Sequence, residues 1–205
     1  MTETTAPERW RLFIVPHTHW DREWYLPFQR YRARLVGFFD TLLDVLQRDR
    51  DYRHFMLDGH TILIEDYLEV RPDRRDEIAR YVREGRLSAG PWYVIPDEFL
   101  PGGEALVRNL LRGHRLAEEL GGVMAVGYIP DPFGQIAHMP ALLRGFGIER
   151  CVFWRGTDDS LGTSEFLWVA PAGSDVLVKH LVGGLRGRLT VSAPPAPVER
   201  RVRHG

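Results

Sequence analysis

Along most of this chain, short apolar runs alternate with one-faced amphipathic stretches. Leu12-Phe13-Ile14-Val15 is an apolar run closed by Pro16, and it predicts a buried strand over residues 10–15. The next stretch predicts a helix over 30–47. Its apolar positions Leu35, Phe38, Phe39, Leu42, Leu43 and Leu46 fall at i, +3, +4, +7, +8 and +11, one stripe of a helix that rests on a sheet. Residues 54–57 read as a second strand, closed by Asp58-Gly59, and 61–70 as a helix. Pro72 opens a further helix through residue 84, with Gly85 as its stop. A third strand is expected over 87–94, broken at Gly90-Pro91. A helix over 104–120, a strand over 123–129, a helix over 139–146 and a strand over 151–154 follow. Residues 166–169 and 176–178 flank Pro171-Ala172-Gly173 and suggest a hairpin.

Strand and helix thus recur every 30 to 40 residues, which predicts a parallel sheet with right-handed crossovers. The grammar stops near residue 182. Residues 183–205 hold five Arg against one Glu, with Gly and Pro throughout, and read as a disordered basic tail. A basic arm for an acidic partner is the second reading of that segment.

Composition narrows the class. The 205 residues are 44% hydrophobic and 27% charged with net charge −1, enough for one real core and no electrostatic case for nucleic acid. The lone Cys151 excludes an internal disulfide and suits a reducing, cytoplasmic setting. Residues 1–11 are polar without a signal-like apolar core, and no run reaches membrane-spanning length.

Polar, chemistry-bearing residues cluster just after the strands, where α/β folds place their sites. Val15-Pro16-His17-Thr18-His19-Trp20-Asp21-Arg22-Glu23-Trp24 puts two His, an Asp and two Trp within ten residues. His and carboxylate at i, i+2 on a loop can converge on a borderline cation such as Zn²⁺, and Trp offers a flat face to a sugar. Asp58 reads first as the N-cap of the next helix and second as a catalytic carboxylate. Asp97-Glu98 is another acidic strand end. Asp131 sits between Pro130 and Pro132, which fix its backbone. Arg155 closes the series. His114 and His138 read as structural, and Phe28, Trp92 and Tyr93 as core or rim.

Pro16 to Trp24, Asp131-Pro132-Phe133-Gly134 and Phe153-Trp154-Arg155-Gly156, in that order, resemble the N-terminal part of glycoside hydrolase family 38, the retaining zinc-dependent α-mannosidases. Leu57-Asp58-Gly59, Gly90-Pro91-Trp92-Tyr93 and residues 163–168 agree with its bacterial branch, which includes mannosylglycerate hydrolase. The resemblance runs over about residues 11–181. It implies an α/β fold, an incomplete (β/α)7 barrel over residues 1–182. It implies Zn²⁺ as cofactor and an α-mannoside as substrate, whether mannosylglycerate, an oligomannoside or a glycan fragment. His19 and Asp21 match zinc ligands. Asp131 matches the residue that is both nucleophile and ligand. Trp24 matches the aromatic that lies against the sugar, and Arg155 an arginine that supports the nucleophile. His17 matches a non-ligand. Gln135 departs from the His that many members carry there.

The family's fourth zinc ligand and its acid/base carboxylate have no matching position, and the Arg/Pro-rich tail is what a truncated or frameshifted reading frame produces. The expectation is a chain that folds poorly alone or needs a complement, and that is inactive by itself. Two other readings stand beside it: a non-catalytic remnant binding zinc or sugar, and another metal-dependent carbohydrate hydrolase such as a deacetylase. The full-length relatives make self-association plausible.

Overall fold

A computed structural model describes residues 13–157 and 159–184. The first few residues of the expected first strand and almost all of the expected basic tail lie outside that range.

Among the described residues, seven strands and five α-helices follow one another in the order the periodicity predicts. Strands β1 (His17–Thr18), β2 (Phe55–Leu57) and β3 (Leu87–Ser88) form one parallel sheet, with His17 opposite Met56 and Phe55 opposite Leu87. Strands β4 (Gly127–Ile129), β5 (Arg150–Phe153), β6 (Glu165–Val169) and β7 (Asp175–His180) form a second, ordered β4-β5-β7-β6. Here β4, β5 and β7 run parallel, and β6 returns antiparallel to β7. The 166–178 excursion is therefore a hairpin whose second arm extends the parallel sheet.

The helices cover these sheets as amphipathic layers. Helix α1 (Phe28–Arg48) buries Leu35, Phe39, Leu42, Leu43 and Leu46, an i, +4, +7, +8, +11 stripe. Helices α2 (Ile62–Leu68) and α3 (Arg75–Arg83) bury Leu63, Ile64, Tyr67, Ile78 and Tyr81 in the same apolar cluster. A 3-10 turn over Pro72–Arg74 precedes α3, since Pro suits a helix start where no N–H is required. Helix α4 (Gly103–Leu120) reaches both clusters: Ala117 and Leu120 join the first, and Leu106 and Leu110 the second. That second cluster also holds Met139 and Leu143 of α5 (Met139–Gly145) with Ile129, Phe153, Val176 and Val178.

No ladder joins β3 to β4 among the described residues. Trp92 spans the gap instead: fully buried, it donates its indole N–H to the Tyr128 carbonyl of β4 at 3.1 Å. Met124 N–H adds a bond to the Ala89 carbonyl at 2.9 Å.

Two strand readings are corrected. The run Phe13-Ile14-Val15 is not a buried strand: its side chains are 76%, 69% and 59% exposed, and the ladder begins at His17. Among the described residues β1 is a sheet edge with β2 as its sole neighbour, and the first rung is Met56 N–H on the Pro16 carbonyl at 3.0 Å. Among the described residues, Phe13, Ile14 and Val15 therefore have no second strand to bury them. The third strand is two residues long, not eight, because Gly90 (φ 74°) and Pro91 turn the chain out of the ladder.

Candidate active site

The C-terminal ends of the parallel strands meet at one cleft of ≈ 350 Å³, and His19, Asp21, Trp24, Asp58, Asp97 and Asp131 are among its lining residues. His19 follows β1, Asp58 follows β2, and Asp131 follows β4 by one proline. Side chains far apart in sequence thus converge because parallel strands deliver their ends to one edge.

The central contact is His19 on Asp58. The imidazole Nδ1 lies 3.1 Å from Asp58 Oδ2 and 3.3 Å from Oδ1, and the same carboxylate accepts Trp20 N–H at 2.6 Å. An ionised carboxylate only accepts, so Nδ1 carries a proton, and in the neutral imidazole Nε2 keeps its lone pair. Asp58 is fully buried and left-handed at φ 39°, a conformation Asp tolerates better than most residues. It caps no helix: the N-cap position of α2 is Thr61. The hydrogen bond to Asp58, with help from the charges of Asp58, Asp21 and Asp131, raises the His19 pKa above its ordinary value against the opposing effect of burial.

Held this way, His19 turns Nε2 toward two further carboxylates, Asp131 Oδ2 at 3.5 Å and Asp21 Oδ1 at 3.6 Å. The nitrogen is buried and has no hydrogen-bond partner. Asp131 is also ion-paired to Arg155 Nε at the end of β5. The guanidinium stacks over the Trp154 ring at 4.1 Å and the Phe133 ring at 4.6 Å, which fixes its plane.

Among the described residues, no three His, Cys, Asp or Glu side chains stand as a ready-made metal site. Two separations among His19, Asp21 and Asp131 are nonetheless close to those of a metal's ligands. Around tetrahedral zinc with bonds of about 2.0–2.2 Å, neighbouring ligand atoms are roughly 3.4 Å apart. The two Nε2 separations lie within a few tenths of an ångström of that spacing. One imidazole nitrogen and two carboxylates are a donor set for a borderline or hard cation.

The loop between His19 and Trp24 is anchored by Arg22. Its guanidinium makes a two-point bond to the buried Asp66 of α2, Nε to Oδ2 at 2.8 Å and Nη2 to Oδ1 at 3.0 Å, and lies 4.3 Å over the Phe28 ring. The two tryptophans then part. Trp20 turns inward onto Phe38 and Tyr31, each at 6.0 Å between ring centres. Trp24 stays 63% exposed on the cleft. His17 points away, with Nδ1 at 3.1 Å from the Thr18 carbonyl. His114 bonds the Leu110 carbonyl at 2.9 Å and packs on Phe146, a helix-side role.

Three residues of this neighbourhood were misplaced, passed over or left without a definite role in the sequence reading. Asp58 read as a cap. His60 was not singled out; it lines the cleft, buried, with Nε2 at 3.7 Å from Asp58 Oδ2, beyond hydrogen-bond reach. Burial pushes its pKa down to about 4, so it is neutral. Glu98 is 1% exposed, and burial pushes its carboxyl up to about 7. A separate cleft of ≈ 480 Å³ holds Arg50, Arg80 and Arg86. There Arg80 and Arg86 lie over the Tyr81 ring, and Arg86 is further engaged by the Asp49 and Tyr52 carbonyls.

Comparison with known proteins identifies the family. Residues 9–183 match the model of the glycosyl hydrolases family 38 N-terminal domain. The chain belongs to glycosyl hydrolase family 38. A relative from Halalkalibacterium halodurans, whose name assigns it provisionally to mannosylglycerate hydrolysis, is 43% identical over 177 residues, 80% of this chain and 20% of its own length. The crystal structure of an alpha-mannosidase from Enterococcus faecalis V583 superimposes with a TM-score of 0.79 at 34% identity, covering 83% of this chain and 20% of that one. A 4-alpha-glucanotransferase from Thermococcus litoralis shares the fold at a TM-score of 0.62 and 16% identity. The family 38 chain described here thus spans about a fifth of the length of the first two.

Proposed function

We propose that this chain carries the nucleophile half of a retaining, zinc-dependent α-mannosidase site, with Asp131 as nucleophile. One observation supports this above the others: Asp131 lies between Arg155 and Nε2 of His19, with Asp21 beside it. His19, Asp21 and Asp131 are the residues that would hold the zinc. When bound, the metal would engage sugar hydroxyls and favour a flattened, oxocarbenium-like ring.

The chain's own groups account for the rest. Arg155 neutralises one Asp131 oxygen and orients the other. Asp131 attacks the anomeric carbon as the bond to the leaving oxygen breaks, forming a glycosyl ester. A second carboxyl protonates that oxygen and later deprotonates water, whose attack on the anomeric carbon releases Asp131, so configuration is retained. That second carboxyl and a fourth zinc ligand are assigned to no residue of this chain. Trp24 presents a face to the sugar ring. Mannosylglycerate is the first substrate to try, given the Halalkalibacterium relative. In this reading the two sheets are arcs of an incomplete (β/α)7 barrel, and these 205 residues do not turn over substrate alone. Cys151, buried and free, suits a cytoplasmic setting.

The test is an activated fluoro-mannosyl fluoride. Fluoride leaves without protonation, so the label can form where no acid/base is in place. With zinc present, the label is expected on the peptide containing Asp131 and to be absent from Asp131→Asn, while an aryl α-mannoside is not turned over. A label on another carboxylate, or none on the zinc-treated chain, overturns the nucleophile. Turnover abolished by chelator overturns the inactivity.

A further inference from the structure

The loop carrying Asp131 is gripped by a neighbouring strand end. Pro132 has no N–H, so the first backbone donor after the nucleophile is Phe133. Asp97 Oδ1 accepts that N–H at 2.9 Å, and Glu98 N–H donates to the Phe133 carbonyl at 3.1 Å. Glu98 Oε2 accepts Ile136 N–H at 2.8 Å. The Phe99 ring fills the space that a Cβ on Gly134, itself left-handed at φ 75°, would need. Three consecutive residues after β3 thus make four contacts with three residues of the 133–136 segment.

A carboxyl is a costly way to do this. Glu98 is buried, its other oxygen Oε1 has no partner, and an apolar side chain would fill the volume without that penalty. Backbone amides with no ladder to join need an acceptor, and here two acidic side chains supply them.

We propose that Asp97 and Glu98 are positioning residues that set the place of Asp131 by fixing the backbone two and five residues beyond it; this rests on Asp131 being the nucleophile. They act through the loop and touch no reacting atom. Displacement of a reacting group by an ångström costs on the order of a hundredfold in rate, so slackening this grip is felt at the carboxylate.

The 205-residue chain carries the test, with Asp97→Ala, Asp97→Asn, Glu98→Ala and Glu98→Gln. Amide hydrogen exchange over residues 131–136 reads the grip directly, with α1 as the control for global opening. Both alanine variants are expected to speed exchange in that segment by about tenfold or more with α1 unchanged, and to slow fluoro-sugar labelling of Asp131 by a similar factor. The Asn and Gln variants, each retaining an oxygen acceptor, hold both readouts within about threefold of wild type. If an alanine variant opens globally, its Asn or Gln partner decides: native exchange and labelling there support the grip. Unchanged exchange in the alanine variants overturns the proposal, as does equal loss in the Asn and Gln variants. A wild-type chain that takes no label while the segment responds as expected sinks the mannosidase reading and leaves the grip standing.

Discussion

Replacing Asp58 separates fold from metal chemistry at one residue. In Asp58→Ala, two donors lose their acceptor: Trp20 N–H, now at 2.6 Å, and His19 Nδ1, now at 3.1 Å. Each stranded donor costs about 1–3 kcal/mol, and Ala at φ 39° adds about 1–2 kcal/mol of left-handed strain. The sum is about 3–8 kcal/mol, against a total stability on the order of 5–15 kcal/mol. Asp58→Gly is free of the strain and is expected to recover about 1 kcal/mol after its own entropic cost. Asp58→Asn differs in kind. Its carbonyl still accepts Trp20 N–H, but its amide faces Nδ1 as a donor, so the imidazole must move its proton to Nε2. The lone pair facing Asp21 and Asp131 is then gone. Urea unfolding followed by tryptophan fluorescence should place Asn within about 1–2 kcal/mol of wild type, with zinc affinity by calorimetry lower by about 10–100-fold. A loss below about 1 kcal/mol in the alanine variant, or wild-type zinc affinity in the asparagine variant, refutes the reasoning.

Glu98 supplies a pH prediction. Its folded-state pKa is raised from 4.5 to about 7, so its protonated form suits the burial: the contribution to stability is full below 4.5 and is lost as pH rises through about 7. The loss is about 3 kcal/mol between pH 5 and 8, and Glu98→Gln should remove that slope from urea midpoints measured at both values. Gly113→Ala adds a Cβ where the Pro91 carbonyl and the Trp92 and Tyr93 backbones already stand. The helix-propensity gain of about 1 kcal/mol is outweighed by overpacking of about 1–3 kcal/mol or more, so thermal unfolding should show a lower midpoint. Zinc titration should give binding that His19→Ala weakens by at least about tenfold and that Asp66→Asn weakens less, since Asp66 holds the loop only through Arg22.

The helices and the order of elements were legible in the sequence because they depend on neighbours within a turn or two. The Leu35–Leu46 stripe predicts α1 to within two residues at its start and one at its end, and Gly85 and Gly121 end their helices with positive φ. The loop motif, Asp131 between two prolines, and Arg155 were equally legible, since each is a local cluster just after an apolar run. The strands were overlong in the reading. Apolar content cannot say where a ladder has a partner, and Phe13-Ile14-Val15 lies at an edge where the described residues supply none.

What the tertiary structure decided is every role that depends on a residue from another strand end. Trp20 and Trp24 are alike in sequence, and only packing on Phe38 sends the first inward and leaves the second on the cleft. Asp58 resembles a helix cap until β2 pairs with β1 and sets its carboxylate under His19. Asp97 and Glu98 are an unexplained acidic pair until the β4 loop lies against them. The chain determines which groups are available, through composition and short-range periodicity. Parallel pairing and the gap spanned by Trp92 determine which of them meet, because a hydrogen bond is made across space and not along sequence.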